Sequence, residues 1–132
     1  MTALSNYAEN KILDHLFKNT TMTSPQAWIG YFNNAITDDS VPTEVSGNGY
    51  GRVRIDSLMG NASLGSIKNT SAITFPAASG GDHGTVVAIA IFDSDTGGTN
   101  NMLAYGSLTT PKTISDGDQL NIAINNLTIS ID

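Results

Sequence analysis

Cysteine is absent from the 132 residues, so neither a disulfide nor a thiolate metal site can form. Charge is scarce as well: only 14% of the residues are Asp, Glu, Lys or Arg, with six cations against twelve anions. The resulting net charge of -6 has the wrong sign for neutralising a phosphate backbone, and nucleic acid is not an expected partner. No apolar run approaches the ~20 residues of a membrane-spanning helix. The apolar stretch near the start, Ile12 to Phe17, is interrupted by Asp14 and His15 and has no basic leader. Neither a membrane span nor a signal peptide is expected. Histidine occurs only at His15 and His83, too far apart and too poorly supported by carboxylates to suggest zinc, and no metal or other cofactor is expected.

What the chain has in quantity is turn chemistry. Gly, Ser, Thr and Asn together account for 54 of 132 residues, which suits many short strands joined by tight turns. Four Asn-x-Ser/Thr sequons, at Asn19, Asn61, Asn69 and Asn126, arise by chance in such a composition. The length fits one domain, residues 1–132, able to bury its own core.

One segment departs from the β pattern. Leu4, Ala8, Ile12 and Leu16, widened by Leu13 and Phe17, carry the spacing of an amphipathic helix within residues 1–20. Ser5 or Thr2 would cap its start and Asn19 would end it in a left-handed conformation, with Lys11 and Lys18 facing solvent. His15 lies beside the stripe as a packed or interface residue. After "NTTMTSPQ" comes Ala27 to Phe32, a strand that holds the only tryptophan and whose continuous apolar run implies cover on both faces. Further strands are expected at Val53–Ile55, Ala62–Ile67, Ala72–Phe75, Val86–Phe92, Met102–Leu108, Gln119–Ile124 and Leu127–Ile131. The intervening "PAASGGDHG", "DSDTGGTNN" and "TPKTISDGD" read as turns. The fold class is therefore mainly β: an N-terminal amphipathic helix followed by a β-sandwich or jelly-roll-like domain over residues 26–132.

Motifs that would carry chemistry fail on inspection. "TEVSGNGYGRVRI", Thr43 to Ile55, resembles a phosphate-cradling glycine loop, but Arg52 stands where the third glycine belongs and a strand follows instead of a helix. "DSDTGG", Asp93 to Gly98, starts like a calcium loop yet has Gly97 at its fifth position and Ala104 at its twelfth, so a hairpin turn is expected there. Asp116-Gly117-Asp118 likewise reads as a turn. No nucleophile elbow or catalytic triad spacing is present. Glu44 and Asp56 have a simpler expected role, on an acidic solvated surface with ion pairs to Arg52 or Arg54. No enzymatic activity is expected.

Six stretches occur in one order: "ALSNYAENKILDHLF", "TSP", "TEVSGNGYGRVRI", "SAITFPAAS", "GTVVAIAIFD" and "LAYGSLTTPKTISDGDQLNIAINNLTISID". Together they resemble a family of short bacteriophage virion proteins, often labelled tail-fibre-like, that pair such a helix with a compact β domain. One departure is Gly51, where the family often has Ala. The resemblance implies a structural part of the particle, made in the host cytoplasm and carried on the outer surface of the virion.

Within that class the expected role is capsid decoration. A cement protein would bind between capsomers as a homo-oligomer, expected to be a trimer, with the phage major capsid protein as its other partner. The alternatives are a tail or tail-fibre-associated structural protein, and a glycan- or receptor-binding β module using Trp28, Tyr31, Tyr50 or Tyr105. Candidate interface residues are Leu4, Tyr7, Ile12, Leu16, Phe17, Trp28, Tyr50, Arg52 and Arg54.

Overall fold

A computed structural model describes residues 3–38, 40–96 and 101–131. A two-residue strand β1 (Ala3–Leu4) leads into helix α1 (Asn6–Phe17). Then follow β2 (Trp28–Phe32), β3 (Val53–Arg54), a 3-10 turn over Asp56–Leu58, β4 (Ser66–Lys68), β5 (Ile73–Thr74), β6 (Gly84–Phe92), β7 (Met102–Ile114), β8 (Asn121–Ile122) and β9 (Thr128–Ser130). Five strands form one antiparallel sheet in the order β1-β7-β6-β2-β3, while β4 pairs with β9 and β5 with β8 in two small ribbons. The chain is mainly β behind an N-terminal helix, in agreement with the sequence.

Alternation along the central strands places two clusters on opposite faces of the sheet. Ile29 and Tyr31 of β2, Ile89 and Ile91 of β6 and Ala104 of β7 point to one side. There they meet Ile73 and Phe75 at β5, Leu120 before β8 and Leu127 before β9. The second layer of the sandwich is thus built from two short ribbons. Phe32, Ala88, Ala90, Phe92 and Met102 form the other cluster, covered by Ile36 and Val41 from the loop after β2. Both faces of β2 are therefore covered, as its unbroken apolar run requires.

Four expected strands are corrected. The segment Ala62–Ile67 is mostly turn, with Leu64 and Gly65 at φ 53° and 74°, and the strand starts only at Ser66. The expected strands Ala72–Phe75 and Gln119–Ile124 shrink to two residues each. Conversely β7 does not stop at Leu108 but continues through "TTPKTI" to Ile114. Proline is tolerated there because Leu108 to Pro111 loop out between the pairs Val86↔Lys112 and Ala88↔Ser107, a bulge that asks no ladder hydrogen bond of Pro111.

The helix is capped as expected: the Ser5 side chain accepts from the Ala8 amide at 3.2 Å, and Asn19 adopts φ 56° just beyond the end. Ser5 Oγ also donates to the Met102 carbonyl, and the Ser5 amide bonds Leu103 O at 2.9 Å, which fastens the helix start to β7. The expected apolar stripe is only half used. Ala8 is buried, but Leu13, Leu16 and Phe17 are 54%, 64% and 81% exposed. His15 is also exposed and bonds the Thr20 carbonyl through Nδ1 at 3.2 Å, which corrects the packed reading of that residue.

Candidate functional site

The glycine-rich stretch Thr43 to Ile55 serves to close a sheet edge. Strand β3 pairs with only the first two residues of β2, Trp28 and Ile29. Beyond them the edge of β2 would lie open, and open edges invite unwanted pairing. The loop supplies substitutes: Val45 N–H donates to Tyr31 O at 3.4 Å, and the Tyr50 hydroxyl accepts from Tyr31 N–H at 3.1 Å. To bring Tyr50 back to this edge the chain turns at Asn48-Gly49, whose φ angles of 51° and 81° and Tyr50 N to Gly47 O bond of 2.9 Å describe a type I′ turn.

Behind that turn is a buried polar network. The Tyr50 hydroxyl donates to Glu44 Oε1. Arg52 grips the same carboxylate through Nε at 3.0 and 3.1 Å and through one terminal nitrogen at 2.7 Å, with side-chain exposures of 4% for Arg52 and 16% for Glu44. Its other terminal nitrogen donates to Ser94 O at 2.9 Å, and the guanidinium lies 3.6 Å over the Phe92 ring. Gly30 makes room for this group, since a Cβ there would come within 2.2 Å of Glu44 Oε1. Burial pushes the Tyr50 phenol well above its usual range, and the neighbouring Glu44 carboxylate adds to the effect.

Next to it, His83 Nε2 faces the Asn48 carbonyl at 2.8 Å, and a carbonyl can only accept. Nδ1 of the same ring is hydrogen-bonded to the Tyr31 hydroxyl. The expected ion pairs of Glu44 and Asp56 both form. Arg54 holds Asp56 at 2.7 Å on the surface, whereas the Arg52–Glu44 pair is internal rather than solvated.

These contacts divide the candidate interface residues into two groups. Tyr50 and Arg52 belong to the internal network; Trp28 is half-buried at the start of β2, opposite the exposed Arg54 in register. Leu4, Tyr7 and Ile12, all half-buried, instead line a groove of about 480 Å³ between α1 and the segment at residues 21–25. Leu16 and Phe17 project from the end of the same helix.

Asp93 also lines the groove, although sequence alone offered it only as the first position of a failed calcium loop. Its Oδ2 accepts from the Tyr7 hydroxyl at 3.4 Å, while its Oδ1 is shut off from solvent without a partner among the described residues. Burial, followed by the Asp93 charge, raises the Tyr7 phenol. Gly97, Gly98 and the rest of that turn to Asn100 lie outside the described residues. A second groove, beside the bulge of β7, is lined by hydroxyls and amides including Thr109, Thr110, Asn121 and Asn126.

The acidic turn at Asp116-Gly117-Asp118 is occupied with its own backbone: Asp118 Oδ2 accepts from Ser115 N at 3.1 Å and Gly117 has φ 89°. Among the described residues no group of three or more His, Cys, Asp or Glu side chains converges to hold a metal ion. Among the described residues no helix is long and apolar enough to cross a membrane.

No curated protein matches the chain. A family model described as "Podophage GP4 fiber I protein gp80" matches residues 3–130, from β1 and the glycine-rich edge loop through to β9. With nearly its whole length covered, the chain belongs to that family of phage virion structural proteins of tail-fibre-like kind.

Proposed function

We propose that this protein is a non-catalytic structural component of a phage tail-fibre apparatus, joined to its neighbours through the surface around α1. The observation that carries this reading is the family match, whose description names a fibre, over residues 3–130. The structure is consistent with it in one particular: the helix that opens the chain is fixed to the sheet at its start and leaves Leu13, Leu16 and Phe17 on the surface at its end. Large apolar groups on one exposed helix end suit burial against another protein.

The acidic and basic side chains around the glycine-rich stretch and the acidic turn have structural employment. Glu44 is held by Arg52, Asp56 by Arg54, and Asp82 accepts from the Asp116 amide at 2.7 Å. The protein acts by holding position, takes no cofactor and binds no nucleic acid. Its partners are further copies of itself, in a homo-oligomer such as a trimer, and an adjoining virion protein.

Head decoration between capsomers, with the major capsid protein as partner, is the competing reading, and the family description, which names a fibre, favours the tail-fibre one. A glycan platform at Tyr50 is disfavoured because its ring packs edge-on against Tyr31 and His83, at centroid distances of 4.8 and 5.8 Å. Quantitative mass spectrometry of purified particles distinguishes the two structural roles. A few tens of copies or fewer per particle is expected of a fibre part; hundreds would indicate a shell component and overturn the proposal.

A further inference from the structure

The groove beside α1 presents an unusual pair of demands. Its walls include Leu4, Ile12, Met22 and Leu103, yet Asp93 lies among them with one carboxylate oxygen lacking any donor among the described residues. A carboxylate in such surroundings gains most from a charged donor. Oδ1 is closed to solvent, so pairing it with an occupant requires the carboxylate to rotate about its terminal torsion, which is soft, and the long Tyr7 bond of 3.4 Å is a weak restraint on that rotation. The complementary occupant carries an apolar side chain and, beside it, a cation.

The chain itself displays such a segment. Of its six cations, Arg52 and Arg54 are engaged in ion pairs and Lys11 stacks over the Tyr7 ring at 5.7 Å, in the groove wall. Lys18, Lys68 and Lys112 make no ion pair among the described residues. Only Lys18 directly follows large apolar side chains that are mostly exposed, Leu16 and Phe17. It cannot reach Asp93 of its own copy, because Tyr7, whose hydroxyl holds Asp93, lies about 16 Å away along the axis of the same rigid helix.

We infer that the α1 groove receives Leu16-Phe17-Lys18 from a second copy of this chain, with Phe17 entering between Ile12 and Met22 and Lys18 pairing with Asp93. Each copy then offers a knob at one end of α1 and a socket at the other. Such a contact is heterologous, and it closes into a ring when the rotation between copies divides the circle. The inference rests on the assembly reading above and gives that assembly its interface.

Sedimentation equilibrium of the full chain tests it. A closed oligomer is expected for the unaltered protein. Phe17→Ser and Lys18→Asp, both at exposed positions, and Asp93→Lys are each expected to weaken association roughly thirtyfold or more, with an unchanged circular dichroism spectrum. The double variant Asp93→Lys with Lys18→Asp should associate again. A monomer at every concentration up to millimolar overturns the inference. So does an oligomer indifferent to Phe17→Ser and Lys18→Asp, which would place the contact elsewhere and leave the groove to a different polypeptide. Particle location is a separate readout: a monomer found on fibres defeats this interface alone, and an oligomer absent from fibres defeats the fibre role alone.

Discussion

Gly49 and Gly51 stand two residues apart and do different work. Gly49 has φ 81°, and a Cβ there would meet the Ala77 carbonyl at 3.1 Å; Gly51 has an ordinary backbone and open space around its Cβ position. Gly51→Ala should therefore be neutral or stabilise by about 0.4–1 kcal/mol, by narrowing the unfolded ensemble. Gly49→Ala should destabilise by more than that, and urea titrations of both variants check the contrast.

Glu44→Gln removes the carboxylate from a buried guanidinium. A loss of about 3 kcal/mol is expected, at the low end for a broken buried pair because Ser94 O and the Phe92 ring still hold Arg52. A loss below about 1 kcal/mol would show that water reaches the network. The sequence offered Glu44 an ion pair with Arg52 or Arg54 without choosing between them, and the structure selects Arg52. The burial of that pair was not legible, because it depends on Gly30, a strand residue whose missing side chain creates the space.

The helix and strands differ in how openly the sequence declared them. Helix α1, β2, β6 and the first half of β7 carry strong periodicity or long apolar runs, and each appears close to where the pattern put it. The two-residue strands were poorly bounded because so few residues record no period, and the continuation of β7 was hidden by Pro111, which normally ends a strand unless a bulge relieves it. The apolar stripe of α1 was legible as a stripe, but a stripe does not say whether it faces the chain's own core or another molecule.

Ser5 fixes the answer for the first turn only, since its side chain both caps the helix and bonds the Met102 carbonyl of β7. Ser5→Ala is expected to cost about 1–2 kcal/mol in denaturant titrations. Asp93 was legible only as a carboxylate in a turn. Its place in the groove depends on the distant Tyr7, a contact that no local motif records.

On the scale of the whole molecule, two tyrosines make the fold sensitive to alkali. Burial pushes the Tyr31 phenol from 10.0 up to about 12, and Tyr50 is raised further. Both remain protonated in the folded chain over a range in which an unfolded chain would ionise them. Their contribution is thus complete below about pH 10 and is lost as pH rises towards and past 12. Urea midpoints followed by Trp28 fluorescence should fall between about pH 9 and about pH 11; equal midpoints would contradict the buried placement of these phenols.

Assembly belongs to this scale as well. In the proposed role, this small acidic domain with an exposed apolar helix end works through where it is held and what it holds. Immunogold labelling of intact particles, with antibody raised against this chain, tests that placement most directly. Gold confined to the tail fibres is the expected result; gold distributed over the head, with none on the fibres, would contradict a fibre role.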